Sequence, residues 1–246
     1  QSRRGRILGH DIINDYSYIK ENLDIVRNRI SETAVMNGRD PGEITLIGVS
    51  KTHPADAAAA AVKAGLNDLG ENRTEELVQK YELLESDGLS PCWHMIGTLQ
   101  RRKVRQITGK TCIIHSVDSW RLFDEIALRS VENGIVSETL IEMNISGEES
   151  KHGFSPSQLS EISEMMASGK DGVNIRGIMT MAPLTDDEKV IERIFDQTRQ
   201  IFNSLAYSCS SGRFDTLSMG MSNDYHLAVK HGATHLRIGT AIFGKR

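Results

Sequence analysis

The apolar run LIGV at 46–49 leads directly into Ser50 and Lys51, and the ordered pattern stops at Thr52, His53 and Pro54. A lysine at the end of a buried strand can let its stem snorkel to water. Held among apolar walls, its charged form is disfavoured, and the neutral amine is a nucleophile towards carbonyls. Lys51 is therefore suited to Schiff-base chemistry. A second candidate is the stretch SMGMSNDYHLAV at 218–229, where Gly220 lets backbone approach a ligand and Ser222 precedes a helical pattern with Asp224 in its first turn. Ser222 reads as an N-cap, and a helix start of this kind also receives phosphate. A third is LRIGTAIFG at 236–244, where Gly239 and Thr240 follow an apolar run.

Arg237 precedes Gly239 by two residues, on the same side of a strand, and points inward. Its partner is Glu71 or Glu142 in a buried ion pair, or a ligand heteroatom. Glu71, Asn72 and Asn144 read equally well as structural hydrogen-bonding groups or ligand contacts. His94 and His115 lack metal-ligand spacing and read as core or supporting histidines, so no metal is expected. The runs GEES and QRRKVR read as solvated faces, the second able to hold an anion. A phosphate loop, a nucleophilic lysine and an inward arginine together specify an aldehyde with a phosphate tail. Pyridoxal 5'-phosphate fits.

Elements must bring these residues together. Eight short apolar runs, at 44–49, 66–70, 92–97, 112–117, 139–145, 175–179, 215–220 and 234–239, alternate with helical stretches at 55–64, 73–84, 99–108, 119–133, 156–168, 186–205 and 223–231. A further amphipathic helix is expected at 11–37, with Ile12, Tyr16, Ile19, Leu23, Val26 and Ile30 at helical spacing. Strands separated by single helices run parallel, and eight of them predict a closed (β/α)8 barrel; an open doubly wound sheet is the alternative. In a barrel the candidate residues gather at the strand C-terminal ends, which form the mouth. The strand starts read as mostly bland, giving a polar mouth over an apolar floor.

The chain has 246 residues, 39% hydrophobic and 25% charged, with a net charge of -4, which is enough for one barrel or two small domains. The slight acidity favours a small-molecule ligand over nucleic acid or an acidic membrane. Cys92, Cys112 and Cys209 are scattered and odd in number, which predicts no disulfide framework and a reducing cytoplasm. No apolar run reaches membrane length. Residues 1–10 are expected to be a loose tail, and 11–246 the barrel.

The stretches GVSKTHP, LGENRTEEL, WHMIGTLQRRK, HSVDS, EMNISGEESKHGF, RGIMTMAP, LSMGMSNDY and LRIGTAIFG resemble the YggS/PROSC family of pyridoxal phosphate homeostasis proteins, from about residue 12 onwards. That family's barrel is similar to the N-terminal domain of alanine racemase. The resemblance implies the type III pyridoxal-phosphate fold, with Lys51 as the lysine of the internal aldimine. It also implies phosphate contacts from Ser222, Gly239 and Thr240, Arg237 facing the pyridine nitrogen, and Glu71 and Asn72 near the cofactor. Two positions depart from the family pattern: Arg102 stands where Asn is usual, and Asn223 where Asp or Ala is common.

By this resemblance the protein binds and exchanges pyridoxal phosphate in vitamin B6 homeostasis, without an established catalytic reaction. Apo pyridoxal-phosphate enzymes are possible recipients. The chain ends just after the eighth strand, so no second, β-rich domain of the racemase kind is expected, and the protein is expected to be a monomer. Two other readings stay open at this level: a pyridoxal-phosphate amino-acid racemase, and a Schiff-base aldolase that needs no cofactor.

Overall fold

The computed structural model describes residues 15–148, 151–208 and 213–245. The first helix, α1 (Ser17–Met36), buries Ile19, Leu23, Val26, Ile30 and Ala34, whose steps of three and four residues define one face. Ile12 and the tail expected at 1–10 lie outside the described residues.

Eight strands follow: β1 (Thr45–Val49), β2 (Asp68–Glu71), β3 (Cys92–Met95), β4 (Ile113–Val117), β5 (Ser137–Met143), β6 (Val173–Thr180), β7 (Thr216–Ser218) and β8 (His235–Ile238). They pair in sequence order, all parallel, and β8 returns to β1, closing the barrel. Between them lie α2 (Ala55–Lys63), α3 (Thr74–Ser86), α4 (Val104–Ile107), α5 (Trp120–Glu132), α6 (Leu159–Ser168), α7 (Glu188–Ser208) and α8 (Tyr225–Lys230). A short α9 (Thr240–Phe243) ends the series. The open-sheet alternative is excluded, and each of the eight apolar runs became a strand.

The extra helix α1 completes the outer ring against α2, α8 and α9. Its Tyr18 hydroxyl and Asn22 amide donate to the carbonyls of Phe243 and Ile242, which satisfies C-terminal carbonyls that α9 itself cannot. The main apolar core lies between strands and helices. Among the described residues no helix is long and apolar enough to cross a membrane.

Three expectations need correction. The single helix expected at 99–108 is a 3-10 turn, Arg101–Lys103, followed by the four-residue α4. The floor is not apolar: β2 and β8 begin at Asp68 and His235, later than the apolar runs suggested, and Arg176 pairs there with Glu138 and Asp215. The cysteines are not all independent, since Cys92 and Cys112 form a disulfide. Twenty residues apart in sequence, they sit at the starts of neighbouring strands, and the parallel pairing of β3 with β4 makes them adjacent. Cys209 lies outside the described residues.

Candidate active site at the barrel mouth

Lys51 occupies the turn immediately after β1 and is half-buried. The turn closes through the His53 N–H donating to the Ser50 carbonyl at 3.0 Å, with φ of 65° at Thr52. A positive φ at the third residue is what a type II turn demands, and glycine usually supplies it. Here a β-branched residue does, at a cost of about 1–3 kcal/mol. Glu76 holds it by accepting the Thr52 N–H at 2.8 Å.

Below Lys51 lies a residue that the sequence reading missed. Lys80 of α3 is 4% exposed and donates to Glu71 Oε1 at 2.6 Å and to the Ser50 carbonyl at 2.7 Å. The Ser50 hydroxyl donates to the same Glu71 oxygen at 2.6 Å. Glu71 therefore pairs with Lys80 and not with Arg237. Burial pushes the Glu71 carboxyl up, and Lys80 opposes the shift. The sequence does carry a signal for Lys80: it falls between Leu77 and Leu84 on the buried stripe of α3, where a lysine requires a partner.

Asn72 follows Glu71 at the end of β2, and its Oδ1 is buried without a hydrogen-bond partner, as is Glu71 Oε2. Gly97, after β3, makes room for it: a Cβ there would lie 2.4 Å from the Asn72 carbonyl oxygen. Asn144, after β5, is structural. Its amide donates to the carbonyls of Glu148 and Lys151, and its Oδ1 accepts from the Gly147 N–H.

Arg237 is buried inside the barrel. It donates to the Ser218 hydroxyl at 2.5 Å and to the Thr180 carbonyl at 2.9 Å. Neither Glu71 nor Glu142 forms an ion pair with it; Asp224 and Glu142 attract it from farther away. Burial lowers its pKa to about 10, against the pull of those two carboxylates, so it stays charged at neutral pH. Burial and repulsion from Asp118 raise Glu142 to about 7.

The loops after β7 and β8 meet as expected of neighbours in a barrel. The Ala241 N–H of α9 donates to the Ser222 hydroxyl at 3.4 Å. Ser222 is not the N-cap of α8, because that helix starts at Tyr225 with Asp224 as its cap. Asp224 folds back to accept the Met221 N–H instead. Gly220 also serves packing. A Cβ there would come 2.5 Å from that of Ala228, so its absence lets α8 pack. Gly239 faces the end of β1, where a Cβ would stand 3.2 Å from the Val49 carbonyl oxygen, and Thr240 begins α9. Arg102, at the position of family departure, is exposed and donates to the Gln100 side-chain oxygen.

The histidines line the interior as a chain. His94 Nε2 is 3.0 Å from Asp68 Oδ1, His94 Nδ1 is 3.0 Å from His115 Nε2, and His115 Nδ1 is 3.0 Å from the Ser218 hydroxyl that also receives Arg237. Burial, followed by repulsion from His94, Arg237 and His235, holds His115 well below the ordinary histidine range. His235, beside both rings, is lowered to about 4, chiefly by burial.

A closed parallel barrel with a lysine after its first strand, an arginine within and paired loops after its last two strands defines a class, the alanine-racemase-like barrels. Residues 15–246 match the family described as alanine racemase, N-terminal domain. A pyridoxal phosphate homeostasis protein of Aquifex aeolicus is 38% identical over 226 residues, which is 92% of this chain and 97% of that protein. PipY of Synechococcus elongatus, solved with PLP bound, superposes with a TM-score of 0.80 at 33% identity, covering 92% of this chain and all of that one. An alanine racemase from a D-cycloserine-producing Streptomyces lavendulae shares the fold alone: TM-score 0.70, 17% identity, 94% of this chain and 58% of that one. The chain belongs to the alanine racemase N-terminal domain family and, within it, to the pyridoxal phosphate homeostasis proteins.

Proposed function

We propose that this protein holds pyridoxal 5'-phosphate at the barrel mouth and serves intracellular cofactor homeostasis, handing the cofactor to apo-enzymes. The observation that carries the reading is Arg237, a buried guanidinium whose direct partners are a hydroxyl and a carbonyl rather than a carboxylate. Such a donor suits a neutral ring nitrogen. The PLP bound to PipY and the name borne by the relatives support the same cofactor.

The residues present fit the group. Asn72 brings a buried amide oxygen still lacking a donor, and a ring hydroxyl is a donor of that kind. Ser222 and Thr240 bring hydroxyls for the phosphate, and Gly239 keeps the approach open between them and β1. When bound, the cofactor supplies an aldehyde carbon and an electron-withdrawing ring. Lys51 would supply the amine suited to that carbon. Arginine has no acceptor and keeps its charge, so Arg237 would donate to a ring nitrogen and oppose its protonation. The electron sink is thereby kept weak, which favours carriage over amino-acid turnover. We take the protein to be a cytoplasmic monomer, with residues 11–246 forming the one binding domain.

Transfer is the test. Holo protein freed of unbound cofactor should restore activity to an apo pyridoxal-phosphate enzyme on mixing. If free cofactor restores the enzyme and the holo protein does not, the carrier reading is wrong. A parallel incubation with L-alanine in deuterated water should give negligible α-deuterium or D-alanine; turnover at an enzymatic rate, lost in Lys51→Ala, would make the protein a racemase.

A further inference from the structure

Three unlike ligand atoms meet at the opposite end of the barrel. Asp68 starts β2, Cys92 starts β3 directly across from it, and His94 follows on the same side of β3. One carboxylate oxygen, one sulfur and one ring nitrogen from these residues lie within 4.8 Å of one another. His94 is buried, whereas Asp68 and Cys92 are half-buried. Asp68 also lines a floor cavity of about 470 Å³ with Arg27, Thr45 and Asn67, and the partial exposure of Asp68 and Cys92 leaves the group reachable from solvent. Sequence spacing hides this set because its members come from two strands.

We propose that Asp68, Cys92 and His94 form a binding site for a zinc-class divalent ion, closed by the Cys92–Cys112 disulfide and opened by its reduction. A thiolate, an imidazole and a carboxylate are the mixed donors such an ion takes, with a fourth position left for water. In the disulfide form the Cys92 sulfur is bonded to Cys112 and is no thiolate. Cys112 is exposed, so a small dithiol reaches the bridge. The dithiol gives up two electrons and becomes a disulfide. The S–S bond breaks, and its two protons pass to Cys92 and Cys112. Binding of the ion then releases the proton of Cys92. Disulfide and bound ion exclude each other.

The site has a support shell, which links it to Arg237. Asp68 only accepts, so without an ion His94 Nε2 carries hydrogen. In the neutral ring Nδ1 then accepts from His115 Nε2, and His115 Nδ1 accepts from the Ser218 hydroxyl. An ion on Nε2 moves the hydrogen of His94 to Nδ1. Each step of the chain reverses, and the Ser218 hydroxyl, which Arg237 still approaches, must turn its own hydrogen elsewhere. An ion at the floor is thus felt beneath the mouth. Any effect on a cofactor rests on the function proposed above; binding of the ion does not.

Cobalt(II) is the probe, added to the full chain after treatment with a dithiol and anaerobic desalting. The reduced protein should take one equivalent, with a thiolate-to-cobalt absorption band that zinc abolishes, and the oxidised protein should take none. Cys112→Ser should bind without reduction, and Cys92→Ser in neither state. Absence of stoichiometric binding in both reduced protein and Cys112→Ser, or binding untouched by Cys92→Ser, overturns the site. Addition of zinc should also exchange the protonated and unprotonated nitrogen-15 positions of His94 and His115; unchanged shifts with bound ion overturn the reversal.

Discussion

Thr52 shows how a single residue shapes the mouth. Its left-handed backbone, φ 65°, turns the chain immediately after Lys51, and the Glu76 carboxylate holds that turn from α3. The strain belongs to the side chain and not to the hydrogen bonds, so Thr52→Gly should raise the midpoint of denaturant unfolding, a gain of about 1 kcal/mol. A fall in midpoint would mean that the threonine packs usefully and the turn is not strained. The strand-end positions of Lys51 and Arg237 were legible in the sequence because each has an unusual residue type there. Lys80 is not legible by itself, since a lysine in a helix full of charges reads as solvated until its neighbours Leu77 and Leu84 are taken together.

At the scale of elements, α3 braces the ends of β1 and β2 through one ammonium. Lys80 neutralises Glu71 and ties down the Ser50 carbonyl, one residue before Lys51. Removing a partner from a buried pair leaves an uncompensated charge, so Lys80→Ala should destabilise the fold by about 3–5 kcal/mol. The double variant Lys80→Met with Glu71→Leu should recover much of that loss in thermal unfolding. Equal losses in the two variants would show that an uncompensated Glu71 charge is not the source of the loss. Strand and helix order followed from apolar runs alternating with helical stretches. The boundaries that moved, at Asp68, Tyr225 and His235, moved because barrel register and loop packing override local pattern. The short α9 carries too few residues to show a period. The Cys92–Cys112 bridge needed the strand order before the two residues could be seen as neighbours.

Across the whole molecule, the polar barrel interior makes stability depend on pH in two opposed ways. Glu142 has its folded pKa raised from 4.5 to about 7, so its contribution is fully present below 4.5 and is lost as pH rises through 7. His235 is depressed from 6.5 to about 4, so its contribution is present above 6.5 and is lost as pH falls through 4. Glu142→Gln should therefore leave stability that rises more steeply from pH 4.5 to 7 than in the unaltered protein, as followed by denaturant unfolding at each pH. Parallel profiles would mean that Glu142 titrates normally in the fold.

The closed barrel places two lysines near the end of β1, and the central claim is that only one of them receives the cofactor. Lys80 is committed to Glu71 and Ser50, whereas Lys51 stands in the turn at the mouth. The direct measurement is borohydride reduction of the protein loaded with pyridoxal 5'-phosphate, followed by peptide mapping by mass spectrometry. The pyridoxyl mass should appear on Lys51 and vanish from the map of Lys51→Ala. Its appearance on Lys80 or another lysine, with Lys51 unlabelled, would contradict the account.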